Sequence, residues 1–131
     1  MISRSMDFDL GRDRTRMKDR RDWERQTRTV DAILDRFFTE DPARRFEIQV
    51  LADEVGMGKT FVALGVAYSI LAAMRERVSD DDLRWCYQRV LIVTPPNEAL
   101  FNKWNQEVGE FVNRCVAPEF RDAAQWFRPV A

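Results

Sequence analysis

The sequence contains no histidine and only two cysteines, Cys86 and Cys115, far apart and in no ligand spacing. A zinc site would need carboxylates to complete it, so no metal module of that kind is expected. Isolated cysteines fit a reducing compartment and packing positions better than reactive ones. Glycine and proline are scarce, and no internal repeat or low-complexity tract is present. Neither sign of charge dominates: 21 Lys and Arg face 22 Asp and Glu, for a net charge of −1. Overall charge therefore makes no case for nucleic acid or membrane. Long hydrophobic runs are also missing. The longest, Phe61 to Met74, falls short of the roughly 20 residues needed to span a bilayer, and Met1 to Arg14 holds no apolar stretch of the kind a signal peptide needs. A cytoplasmic protein with no membrane partner is expected.

What is present suits one domain with a real core: 131 residues, 45% of them hydrophobic and 33% charged. The basic residues between Arg4 and Arg28 are nearly all closely spaced arginines, interleaved with Asp7, Asp9, Asp13, Asp19, Asp22 and Glu24. Residues 1–22 therefore read as a charged, flexible, solvated arm, with a phosphate-contacting arm as the alternative. Residues 23–131 read as the folded part.

Trp23 to Phe38 has helical spacing, with Val30, Ile33, Leu34, Phe37 and Phe38 on one face. Pro42 cannot continue that helix. Phe46 to Ala52 and Arg89 to Thr94 are short, nearly continuous apolar runs of strand length, the pattern of buried parallel strands. Between them lie a glycine-containing loop, an apolar helix to Met74, a turn at Ser79 to Asp82 and a short helix over Leu83 to Tyr87. Pro95 and Pro96 stop the second strand. Asn97 can cap a helix whose apolar stripe is Leu100, Phe101, Trp104, Val108, Phe111 and Val112. Another short helix is expected within Glu119 to Phe127. Strands alternating with helices predict an α/β fold: a parallel sheet covered by helices on both faces. Only two strands are visible, so the sheet is expected to be incomplete.

The chemistry concentrates at Gly56-Met57-Gly58-Lys59-Thr60, between the first expected strand and the helix after it. Phosphate oxygens need several donors converging from one side, and the N–H groups opening a helix supply them. Glycines at 56 and 58 let the backbone curl round the anion. Lys59 brings a point charge to the β- and γ-phosphates, and the Thr60 hydroxyl suits Mg²⁺. The general phosphate-loop pattern asks for glycine at position 53, where this chain has aspartate. Val50 to Glu54 could instead end a magnesium-binding strand, although Lys59 and Thr60 follow too closely for that.

Leu51 to Thr60 resembles motif I of the Swi/Snf-type ATPases of helicase superfamily two, which write Asp-Glu before the glycines, as Asp53-Glu54 does here. Leu91 to Pro96 followed by Trp104 resembles motif Ia of that family, and Gln26 resembles its adenine-reading glutamine. The likeness covers Trp23 to Phe111, with Asp41 to Arg45 as an insertion. The resemblance implies a P-loop NTPase (RecA-like) domain, of which this chain holds the N-terminal part, in an ATP-dependent DNA helicase or translocase. It implies ATP and Mg²⁺ bound by Glu54, Val55, Gly56, Met57, Gly58, Lys59 and Thr60, with Gln26 at the base. Lys59 would be the catalytic cation and Thr60 the Mg²⁺ ligand. Thr94 and Pro95 would face the backbone of a nucleic acid, which the resemblance implies to be duplex DNA. Hydrolysis also needs a strand ending in Asp-Glu and arginine fingers from a second domain. Neither is visible after Asn97, and Asp80, Asp81 and Asp82 have no strand before them. The remaining part of the ATPase is therefore expected in cis or in trans. The alternative is a catalytically inactive nucleotide-binding or regulatory module acting through a partner protein.

Overall fold

The computed structural model describes residues 2–52, 58–77 and 89–129. Three α-helices dominate: α1 (Arg20–Phe38), α2 (Lys59–Arg77) and α3 (Glu98–Arg114). The turn expected at Ser79 to Asp82, the short helix over Leu83 to Tyr87, and Cys86 lie outside the described residues.

Helix α1 starts at a defined cap. Asp19 has extended backbone angles and accepts a hydrogen bond from the Arg21 N–H at 2.9 Å, satisfying one of the first-turn donors. That bond, seconded by the Arg21 guanidinium, holds the Asp19 carboxyl below its usual range. Val30 and Leu34 of the expected face are buried and Ile33, Phe37 and Phe38 partly so, while Gln26, not part of that face, is buried one turn before Val30. The helix ends at Thr39, and Pro42 then opens an exposed 3₁₀ turn, Pro42–Arg44.

Helix α2 is central. It is apolar nearly all round, which marks a helix covered on several sides; Phe61, Val62, Leu64, Tyr68 and Leu71 are buried. It packs against α1 on one side and α3 on another. Helix α3 is capped as its sequence indicates: the Asn97 side chain accepts from the N–H groups of Ala99 and Leu100 at 2.9 and 3.3 Å. Its C-terminal half carries the buried stripe Val108, Phe111 and Val112. Leu100 and Phe101, expected in the same stripe, are exposed, and Trp104 is only partly buried.

The first residues pack more closely than a solvated arm would. Ile2, Phe8, Leu10 and Met17 are all buried, and Phe8 forms an isolated antiparallel bridge with Val116. Asp9 N–H donates to the Cys115 carbonyl at 2.9 Å, and Ala117 N–H donates to the Asp7 carbonyl at 2.7 Å. Phe8 thereby enters an aromatic cluster with Tyr68 and Phe111, ring centroids 5.6 and 5.2 Å away. Tyr68 and Phe111 also meet Phe127, at 5.2 and 5.7 Å. The short helix expected within Glu119 to Phe127 resolves into two 3₁₀ turns, Pro118–Phe120 and Ala123–Trp126. The second of them brings Phe127 onto the core.

The expected RecA-like parallel sheet is not seen. Among the described residues there is no strand and no sheet, only the single Phe8–Val116 bridge. Neither Phe46 to Ala52 nor Arg89 to Thr94 forms a ladder. Ile48, Val50, Leu91 and Val93 are each more than four-fifths exposed, where strands covered on both faces would bury them. Burying an aliphatic side chain is worth about 1.5–3 kcal/mol, so leaving four in water is a substantial departure from the pattern. The physical reason is that a strand needs a neighbouring backbone, and here α2 is covered by other helices and by the N-terminal segment. The first apolar run is held instead through alternate residues. The Gln49 amide donates to the Ile33 carbonyl of α1 at 2.9 Å, and Leu51 packs on the core.

No helix among the described residues is long and apolar enough to cross a membrane.

Candidate phosphate-binding site

The N-terminus of α2 is where the sequence motif meets the structure. Lys59 and Thr60 form its first turn, and Gly58 stands immediately before them with φ +80°. Only glycine adopts that left-handed angle without strain. The Gly58 carbonyl accepts the Val62 N–H at 3.1 Å, so the helical hydrogen-bond ladder begins at this glycine. An α-helix leaves its leading N–H groups without acceptors within the helix, and their dipoles favour an anion there. The next residues fix the turn in place, because Phe61 and Val62 are 2% and 1% exposed. Lys59 and Thr60, half-buried, lie between that anchor and the loop.

Asp53, Glu54, Val55, Gly56 and Met57 lie outside the described residues. The described part of the motif is therefore Gly58, Lys59 and Thr60. Gln26 joins them from α1: a Cβ placed on Gly58 would stand 2.7 Å from the Gln26 Cδ and 3.0 Å from its Oε1. The glutamine that the resemblance links to the nucleotide is thus in contact with the loop, although the two are 32 positions apart. Thr94 and Pro95 belong to a different stretch, leading into α3; Thr94 is half-buried and Pro95 exposed. The Pro95 carbonyl accepts the Asn97 N–H at 2.7 Å.

Arg16 lies beside the site, which sequence reasoning did not single out. Its guanidinium sits over the Phe61 ring, 3.5 Å from the centroid, and its Nη1 is 3.2 Å from Glu107 Oε2. A cation from the N-terminal segment is thereby held one residue from Thr60. Nearby, Arg14 covers the ring of Trp23 at 4.4 Å. Nothing in the alternating charges of residues 4–28 distinguishes these two arginines from their neighbours. Only the aromatic partners, far along the chain or on the next helix, select them.

A threonine hydroxyl such as that of Thr60 could fill one position of a Mg²⁺ shell, and no group of three potential metal ligands occurs among the described residues. A magnesium ion here would take its other ligands mainly from phosphate oxygens and water, its usual habit at nucleotide sites. Cys115 is buried and chemically quiet, since burial pushes its thiol up to about 12.

Compared with family models, with curated proteins and with solved structures, the chain finds no match.

Proposed function

We propose that the chain binds ATP through residues 53–60, as part of a helicase-like ATPase that acts on DNA. One observation carries the reading: a left-handed glycine directly precedes a Lys-Thr pair on the first turn of a 19-residue helix. That arrangement supplies what a polyphosphate requires. The helix N-terminus offers N–H donors and a favourable dipole, Lys59 adds a full positive charge, and Thr60 adds a hydroxyl for Mg²⁺. The motif I likeness of Leu51 to Thr60 supports ATP as the nucleotide. The motif Ia likeness supports Thr94 and Pro95 as contacts to a nucleic-acid backbone.

Binding and hydrolysis separate in this chain. Magnesium and the charges between the phosphates are what Lys59 and Thr60 serve. The paired carboxylates that orient water, and the arginines that complete the site, would come from the remaining part of the ATPase, in cis or in trans. The test is a thermal melt with and without Mg²⁺-ATP. At a ligand concentration a hundredfold above Kd, binding raises stability by about 2.7 kcal/mol, and Lys59→Ala should lose that rise. Identical melts of the two proteins, both indifferent to ATP, would sink the reading.

A second reading is favoured by the exposed Ile48, Val50, Leu91 and Val93: a nucleotide-binding or regulatory module that acts through a partner protein without turnover. Steady ATP hydrolysis by the purified chain, abolished by Lys59→Ala, would exclude it.

A further inference from the structure

Gln26 is 3% exposed, an uncommon place for a glutamine, a residue that usually keeps its amide in water. Its side chain fills the space in which a Cβ on Gly58 would stand. One turn further along α1, Val30 Cγ2 stands 3.3 Å from the position of a Cβ on Gly65. Helix α1 therefore lies across α2 with Gly58 and Gly65 as points of close approach. The first of these is also the junction of the phosphate loop.

We infer that Gln26 is a positioning residue: its buried side chain holds Gly58 in the left-handed conformation and so aims the opening turn of α2 at the phosphates. The inference rests on reading residues 53–60 as a phosphate loop. Glycine at positive φ has the widest conformational freedom of any residue, so something must restrict it if the donors after it are to converge. The Gly58 carbonyl also takes the first helical hydrogen bond, from Val62. Any swing of that peptide tilts the amides of Lys59 and Thr60 with it. A side chain packed on Gly58 limits the swing, and it does so whatever base the nucleotide carries. This differs from the role implied by resemblance, in which the amide reads adenine.

The experiment compares ligands with and without a base. Binding of ATP, GTP and inorganic tripolyphosphate, each with Mg²⁺, is measured calorimetrically on the full chain. Gln26→Ala should weaken all three by a similar factor of about ten, the scale on which supporting residues act. Gln26→Met refills the space without an amide and should restore tripolyphosphate binding to within about threefold of the original. Unchanged tripolyphosphate binding in Gln26→Ala, with loss of ATP preference over GTP, would overturn the inference in favour of base reading. Failure of Gln26→Met to restore binding would also overturn it. If Gln26→Ala does not fold, as judged by helical circular dichroism, Gln26→Met decides alone. Absence of binding by the unsubstituted chain to any of the three ligands would instead remove the phosphate-loop reading itself.

Discussion

Asp13 and Arg114 form an ion pair across the join between the N-terminal segment and the end of α3, with Arg114 Nη1 3.6 Å from Asp13 Oδ2. The Asp13 side chain is 2% exposed and that of Arg114 43%. The other carboxylate oxygen accepts from the Thr15 N–H and hydroxyl at 3.2 and 2.6 Å. A buried carboxylate that loses its ion-pair partner is costly, whereas the half-exposed guanidinium is partly screened by water. Arg114→Ala should therefore lower stability by about 1–2 kcal/mol. Urea denaturation checks this, and an unchanged midpoint would mean that the pair is already solvated.

Alkaline pH should destabilise the fold through Cys115 and Tyr68. Burial raises both groups, and the hydrogen bond from Tyr68 to Asp7 raises the tyrosine further. From their ordinary values of 9.0 and 10.0 upward, the unfolded chain loses protons that the folded chain keeps. Stability is unaffected below pH 9 and then falls, by up to about 1.4 kcal/mol per pH unit for each group. Unfolding midpoints between pH 7 and 10.5 test the sign. Cys115→Ala should fall less steeply between pH 9 and 10.5 than the unsubstituted chain.

Gly58→Ala meets two obstacles, a backbone angle that L-residues avoid and a collision with Gln26. The angle alone costs about 1–2 kcal/mol. Thermal melts should show a lower midpoint and no further rise with Mg²⁺-ATP. A variant that melts normally and still responds to ATP would show that the left-handed angle is dispensable.

Replacing Ile48, Val50, Leu91 and Val93 together by threonine should leave stability nearly unchanged, since exposed substitutions each stay within about 0.5 kcal/mol. The same change should reduce fluorescence of a hydrophobic dye and reduce self-association in sedimentation. A large loss of stability would mean that these side chains are covered in solution.

The helices were legible because their signals are local. Val30, Ile33 and Leu34 repeat at helical spacing, Asn97 precedes its helix by one residue, and Pro42 cannot continue α1. The two apolar runs misled because composition reports a tendency to be buried and says nothing of the neighbour that would bury them. Phe46 to Ala52 has strand-forming residues, yet its described environment offers no ladder. The N-terminal segment was illegible for the opposite reason. Ile2, Phe8, Leu10 and Met17 are scattered among charges at no regular spacing, and their packing depends on Tyr68, Phe111 and Val116. At the candidate phosphate site, the glycine, lysine and threonine could be picked out from spacing alone. The burial of Gln26 against Gly58 could not.

The bridge between Phe8 and Val116 has a consequence for the order in which the molecule is made. A ribosome makes this segment before α3, so Phe8 and Leu10 emerge ahead of the Phe111 and Val116 that help to bury them. Their partners in the bridge and in α3 emerge only after about a hundred further residues. Until then Phe8 has only part of its cover, with Tyr68 of α2 made and Phe111 still to come. Completion of the aromatic core is thus a late event, set by the arrival of Phe111, Val116 and finally Phe127.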